Sequence, residues 1–240
     1  MKTAIILAAG LGSRVGLLTE TMPKGFLRIC GKSLIEMSVE NLLKKGYEKI
    51  LIVTGHKSEY YEKFAKGYKE VSTIHNGNYV DSGSGYSLYV GLKEVKGACT
   101  IVESDILYDA KILDHIGNDK DIIVTSFITK DHDEVYVESF NNCMSNVSKL
   151  TSDLENHEHS FLGISHISAN TVNNVLLPFA EDILKNNPRI EYEHVLVKAT
   201  KKYGVQFNLE KTDYVWCEID DLIHYYKAVN RVFPLLYNIL

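Results

Sequence analysis

Leu7-Ala8-Ala9-Gly10-Leu11-Gly12-Ser13-Arg14, followed by Pro23-Lys24, is the stretch on which the reading of this chain turns. It comes straight after Thr3-Ala4-Ile5-Ile6-Leu7, a short apolar run of the kind that forms a buried first strand. Two glycines and small side chains leave backbone N–H groups open to an anion, and Arg14 and Lys24 add fixed positive charge. A strand, a glycine loop and two cations in one place suggest a triphosphate cradle.

Other glycine motifs fit less well. The dinucleotide fingerprint Gly-x-Gly-x-x-Gly is followed by an acid at the tip of the second strand, which holds a ribose. Here the third glycine comes one position late, at Gly16, and the second strand, Lys49 to Thr54, runs into Gly55-His56. A nicotinamide or flavin cofactor is therefore disfavoured. A P-loop fails for want of a closing Gly-Lys-Ser/Thr. On the glycines alone, a tight strand-to-helix turn without a ligand serves equally well; the two cations favour the phosphate site.

The chain of 240 residues is long enough for one large domain with a full core. Its net charge of −5 is spread without basic blocks, which disfavours nucleic acid as a partner. No apolar run approaches a membrane span, and the N-terminal stretch is too short for a signal peptide. Cys30, Cys99, Cys143 and Cys217 are widely spaced, as free thiols in a reducing cytoplasm are. The expectation is a cytoplasmic protein that does not touch a membrane.

Further along, Ser33 to Lys45 has helical spacing of apolar residues, with Gly46 placed for a left-handed cap. Lys49 to Thr54 and Val71 to His75 read as strands, and Ser58 as the cap of a helix reaching Lys66. Alternating strands and helices predict a doubly wound, mostly parallel α/β sheet. Ser82-Gly83-Ser84-Gly85 has the composition of a linker, yet it lies between a strand and a helix starting near Tyr86, which favours a packed loop. Cys99 to Val102 is a buried strand that delivers Glu103-Ser104-Asp105 at its carboxyl end, the edge where open parallel sheets bind ligands. On spacing alone Asp105 serves equally as a cap for the turn near Asp109.

The second half alternates like a hairpin-rich sheet, with a strand at Ile122 to Ile128, a turn at Asn141-Asn142 and a return strand at Val147 to Leu150. Lys130 stands in the polar loop between the strands. His157-Glu158-His159 reads as surface, and Pro178 as a break in the helix from Thr171 to Lys185. Glu191-Tyr192-Glu193 allows two readings: an ammonium site built of acids and a ring face, or a helix start enriched in acids. Trp216-Cys217-Glu218-Ile219-Asp220-Asp221 is a strand ending in acids, with Asp221 placed to cap the last helix.

Taken with Leu18-Thr19, the opening motif resembles the signature of nucleotidyltransferases that activate sugar phosphates and phosphocholine. Thr21-Met22-Pro23-Lys24-Gly25-Phe26-Leu27, Thr54-Gly55-His56, Glu59-Tyr60-Tyr61, Glu103-Ser104-Asp105, Asp133-Glu134-Val135-Tyr136, Ile190 to His194 and Trp216-x-Glu218-Ile219-Asp220 are similar to the 2-aminoethylphosphonate cytidylyltransferases. The resemblance implies a fold of the nucleotide-diphospho-sugar transferase type over residues 1–240. Residues 1–120 would form the nucleotide-binding part, and 121–240 the acceptor-binding part with a second metal carboxylate. It implies CTP and 2-aminoethylphosphonate as substrates and Mg²⁺ on Asp105 and Asp220. Leu7, Ala8, Ala9, Gly10, Gly12, Ser13, Arg14, Lys24, Ser82, Gly83, Ser84 and Asp105 would bind the nucleotide, with Lys24 and Arg14 catalytic. Lys130, Glu191, Tyr192 and Glu193 would meet the acceptor. The neighbouring alternatives are phosphocholine cytidylyltransferase, a sugar-1-phosphate nucleotidyltransferase and a non-catalytic nucleotide sensor.

Overall fold

Along the first strand, β1 (Lys2–Ala8), every residue from Thr3 onward is buried, and successive side chains enter different cores. Ile5 and Leu7 join one apolar cluster, and Ala4, Ile6 and Ala8 the other. This is the period of two expected of a strand covered on both faces, and it explains an unbroken apolar run. The computed structural model describes residues 1–117, 119–128 and 134–237.

The remaining strands of the main sheet are β2 (Tyr47–Thr54), β3 (Val71–His75), β4 (Cys99–Glu103), β5 (Ile122–Phe127), β6 (Tyr136–Phe140), β7 (Cys143–Ser148), β8 (His159–Ile167) and β9 (Asn208–Thr212). Their order is β3-β2-β1-β4-β8-β5-β9-β7-β6. Pairing is parallel from β3 to β4 and again between β5 and β9; β8 and β7 run against their neighbours. The fold is thus the doubly wound, mostly parallel α/β sheet read from the sequence, and residues 122–212 extend that same sheet.

Helix Leu34–Lys44 covers one face with Ile35, Val39 and Leu42. Ser33 starts it through a capping box, accepting from the Glu36 amide while the Glu36 carboxylate accepts from the Ser33 amide. Helices Ser84–Lys93 and Tyr192–Tyr203 cover the other face with Leu88, Leu92, Val195 and Leu196. A third apolar cluster joins Val15, Leu27 and Ile29 to Ile219 and to Phe233 of the C-terminal helices.

Several boundaries differ from expectation. Ser58 is the first helical residue of Ser58–Ala65 and caps nothing; Lys57 before it takes φ +53°, the left-handed conformation. The return strand β7 begins at Cys143, because Asn141 and Asn142 both adopt positive φ and close a two-residue turn. Pro178 does divide its helix: a π-turn over Val172–Leu176 precedes Leu177–Asn186, which accommodates the missing N–H. His157 and His159 are half-buried, with His157 against the Tyr136 ring, so the surface reading of that pair is corrected. Among the described residues, no helix is long and apolar enough to cross a membrane.

Candidate active site

Parallel pairing puts the carboxyl ends of β1 and β4 side by side, with Leu7 opposite Glu103. The chain leaves β1 into the glycine loop and leaves β4 into Ser104-Asp105, so both open onto one cavity of about 440 Å³. Asp220 arrives from the far end of the chain. The short strand Trp216–Glu218 pairs with Ile106–Tyr108, and the Ile219 amide donates to the Asp105 carbonyl at 3.0 Å. Backbone bonds thus hold the two acidic segments together. Asp221 turns away and caps the next helix through the His224 amide, as expected.

Between the two acids sits Lys24. Its Nζ lies 2.6 Å from Asp105 Oδ2 and 2.7 Å from Asp220 Oδ1, and Arg14 Nη2 lies 2.8 Å from the same Asp220 oxygen. Burial alone would lower the Lys24 pKa, but Asp105, Asp220 and Glu218 outweigh it and hold the ammonium above its usual value. Burial alone would likewise raise Asp220, yet Lys24 and Arg14 keep it below the usual carboxylate range. The array is charged and preformed.

Beyond it the electrostatics reverse. Glu103 and Glu218, both half-buried, lie beside each other and beside Asp105, and the loss of water followed by carboxylate repulsion pushes both well up. Burial pushes Glu193 up to about 7. Glu103, Asp105 and Glu218 each offer an oxygen within 4.8 Å of the others, a hard-donor set that fits Mg²⁺. Glu103 and Glu218 thus stand with Asp105 in this group, whereas the expected metal pair was Asp105 and Asp220. Asp220 Oδ1 is instead engaged by Lys24 and Arg14.

The Ser82-Gly83-Ser84-Gly85 stretch is packed, as the sequence suggested. Gly83 and Gly85 donate to the Pro188 and Ile190 carbonyls at 2.9 and 3.0 Å. A Cβ on Gly83 would stand 2.5 Å from the Arg189 and Ile190 oxygens, so only glycine permits this approach. The Ser84 amide and hydroxyl both donate to Glu191, and the Tyr192 amide donates to Ser84 Oγ. The expected nucleotide loop and acceptor segment are therefore one bonded unit.

Leu7, Ala8, Ala9, Gly10, Gly12, Arg14, Lys24, Ser82, Gly83, Ser84, Asp105, Glu191, Glu193 and Asp220 all line the cavity. Tyr192 does not: it is fully buried in the core, 5.5 Å from the Phe161 ring and with its hydroxyl 3.5 Å from Ser165. Adjacent positions on a helix point about 100° apart, and here Glu193 faces the cavity while Tyr192 turns into the core. Phe161 supplies an aromatic ring to the cavity instead. Lys130 lies outside the described residues, as does the side chain of Ser13.

Sequence reading passed over Tyr61, Asn76, Lys149, Phe161 and the role of Glu218, all of which line the cavity. Asn76 follows β3 at the ligand-binding edge, which was a usable signal. Its buried amide donates to Ser82 Oγ and Ser87 Oγ at 3.3 and 3.1 Å and steadies the loop. Tyr61 lay in the Glu59-Tyr60-Tyr61 stretch of the family resemblance without a role, and nothing local marked Lys149.

Residues 4–153 match the family model described as the MobA-like NTP transferase domain. The chain belongs to this family. A 2-aminoethylphosphonate cytidylyltransferase of Lancefieldella rimae is 33% identical over 105 residues, 43% of this chain and 43% of that protein. A choline-phosphate cytidylyltransferase of Haemophilus influenzae is 26% identical over 236 residues, 96% of this chain and 97% of that protein. With two other curated relatives the match takes in only 29% and 45% of their length. The solved CTP:phosphocholine cytidylyltransferase of Streptococcus pneumoniae superposes with a TM-score of 0.81 at 22% identity, covering 95% of this chain and 97% of that one. This likeness establishes that the MobA-like domain has the nucleotide-diphospho-sugar transferase fold.

Proposed function

We propose that this NTP transferase domain is a cytidylyltransferase that moves CMP from CTP onto 2-aminoethylphosphonate and releases pyrophosphate. The observation that carries the reading is Lys24, held between Asp105 and Asp220 at the mouth of the glycine loop. The cytidylyltransferase relatives named above support the nucleotide; the acceptor is argued from the charge that lines the cavity.

Six carboxylates line the cavity (Glu103, Asp105, Glu191, Glu193, Glu218 and Asp220) against three cations, Arg14, Lys24 and Lys149. Such a surplus favours an acceptor that carries positive charge over a neutral polyol phosphate. A primary ammonium donates hydrogen bonds to Glu193, which a trimethylammonium cannot do. A choline head would instead want an aromatic cage; Tyr192 is spent in the core, and the rings lining the cavity are those of Tyr61, Tyr79 and Phe161. Lys149, which lines the same cavity and whose charge acts on Glu193, suits the phosphonate of a zwitterion.

A phosphonate oxygen attacks the α-phosphorus of CTP in line, one P–O bond forming as the bond to pyrophosphate breaks. Phosphate second ionisations lie near ~6, and a phosphonate's is similar or slightly higher, so the nucleophile arrives largely ionised. Positioning and charge stabilisation then carry the rate. The glycine-loop amides, Arg14 and Lys24 bind and orient the triphosphate and neutralise charge on the departing pyrophosphate. Glu103, Asp105 and Glu218 would hold Mg²⁺, which would supply further charge neutralisation at the triphosphate, while Asp220 keeps Lys24 and Arg14 in place.

Pyrophosphate release with CTP and Mg²⁺, using 2-aminoethylphosphonate, phosphoethanolamine and phosphocholine at equal concentration, tests this. Strong preference for the phosphonate is expected. Preference for phosphocholine would return the acceptor to the second reading, which the end-to-end similarity to the Haemophilus influenzae protein favours. Silence with all three would overturn both.

A further inference from the structure

We propose that Asn76 sets the nucleotide preference of this domain by fixing the Ser82 and Ser87 hydroxyls as hydrogen-bond donors, which suits cytosine and opposes uracil. The identity of the ligand rests on the cytidylyltransferase reading; the polarity of the two hydroxyls rests on geometry alone.

The stretch that follows β3 gives the cavity Asn76, Tyr79, Val80, Ser82 and Ser87, all uncharged. Every charged side chain of the cavity comes from elsewhere in the chain. This neutral wall abuts the phosphate cradle. A Cβ on Gly55 would stand 2.6 Å from both the Ala9 oxygen and Tyr79 Cβ, so the glycine loop and the Tyr79 turn close on one residue without a side chain. In the sheet, β3 and β1 are two strand spacings apart, about 10 Å, a gap that a nucleotide bridges from base to phosphates. An uncharged ring on a triphosphate fits this wall better than a zwitterionic acceptor, which needs the charges of Glu193 and Lys149.

Asn76 is 0% exposed and all of its polar groups are committed. Its amide donates to the Thr54 carbonyl at 2.7 Å, and its carbonyl accepts from the Tyr79 amide at 3.2 Å. In the side chain, Oδ1 accepts from the Asn78 amide at 2.9 Å, which fixes the way the carboxamide faces. Nδ2 is left to face the serines, and it donates to Ser82 Oγ at 3.3 Å and to Ser87 Oγ at 3.1 Å. A hydroxyl carries one proton and can accept as well as donate. Each serine accepts from Asn76 and keeps its own proton, and among the described residues neither gives that proton to a protein group. Ser82 and Ser87 therefore offer donors to a base at this wall.

Cytosine answers two donors with adjacent acceptors, N3 and O2. Uracil carries a proton on N3, so a donor would meet a donor there. Asn76 acts on this choice through the serines and is a positioning residue.

Calorimetric binding of CTP and of UTP to the full chain with Mg²⁺ supplies the test. The wild type should bind CTP about 10- to 100-fold more tightly, the range expected when a buried donor loses its acceptor. Asn76→Asp puts an accepting oxygen where Nδ2 stood, so both hydroxyls turn their protons to it and present lone pairs to the base. The CTP:UTP affinity ratio should then fall at least ten-fold. Ser82→Ala combined with Ser87→Ala removes both donors, leaves residue 76 alone, and should also lower the ratio several-fold. A loop that had merely loosened would bind both nucleotides less well at an unchanged ratio.

A wild type that binds CTP and UTP alike, or an unchanged ratio in the double serine variant or in a folded Asn76→Asp protein, overturns the proposal. If Asn76→Asp does not fold, the serine variant decides. Selective CTP binding with no turnover of any acceptor would sink the acceptor reading and leave the role of Asn76 standing. Binding of neither nucleotide would overturn both.

Discussion

Two groups of carboxylates in the cavity meet charge in opposite ways. At the glycine-loop end Asp105 and Asp220 each have a cation within 3 Å, and Lys24 and Arg14 are held charged and in place. The second group is Glu103 and Glu218, half-buried within 4.8 Å of Asp105, with the buried Glu193; the loss of water pushes all three upward, helped by Glu218 at Glu103 and by Asp105 and Asp220 at Glu218. The first group is organised before any substrate arrives. The second stores a desolvation cost that a bound cation offsets, which is how a site can prefer an ammonium or a metal ion.

The sharpest way to break this contrast is Lys24→Ala. It leaves Asp105 and Asp220 facing each other without their shared cation, and turnover should drop on the order of 10²–10³-fold. A folded Lys24→Ala protein with near-normal pyrophosphate release would remove the glycine-loop end from the chemistry.

Glu193→Gln tests the second group. The KM for 2-aminoethylphosphonate should rise about ten-fold or more while the KM for CTP holds, since a neutral amide gives up the charge-assisted bond to the ammonium. Its stability signature is separate. A carboxyl whose folded-state pKa is raised to about 7 favours the fold below the unfolded value of 4.5, and that contribution is lost as pH rises towards 7. Glu193→Gln should therefore melt above the wild type at pH 8 and alongside it at pH 4. A Tm difference that does not change with pH would show that Glu193 is not the strained group.

Lys149→Ala should raise the acceptor KM several-fold, more at low salt than at high, because the residue is exposed and screened. An equal rise in the KM for CTP would move Lys149 to the nucleotide side. The smallest effect expected is that of Ser84→Ala, which removes the hydroxyl bonds to Glu191 and Tyr192 that join the two segments. About 1 kcal/mol of stability should be lost in urea unfolding, with little change in kcat.

Much of the cradle end was readable from short stretches because its determinants are local. The apolar run of β1, the small residues after it, and the Ser33/Glu36 capping box each act within a few residues. Asp105 was readable because strand ends in parallel sheets point to one edge; Asp220 follows a strand of a separate antiparallel pair, and the family resemblance placed it. The expected acceptor segment resisted. Glu191, Tyr192 and Glu193 are neighbours in sequence but diverge on the helix, so the ring entered the core and Phe161 of β8 took its place at the cavity. The expected cap at Ser58 failed because Lys57 adopts a left-handed turn on its way to Glu20, a contact made across the fold.

What the sequence by itself determined is the kind of sheet, the phosphate-type loop at its edge, and the identity of the cations and acids delivered there. These follow from residue type and periodicity, which act through the backbone over a few positions. What only the tertiary structure decided is which carboxylates share a cation and which crowd together, and that the Tyr61 phenol packs against Gly25. Those are relations between residues tens to hundreds of positions apart, fixed by sheet order and by helices packing on it, and no local pattern encodes them.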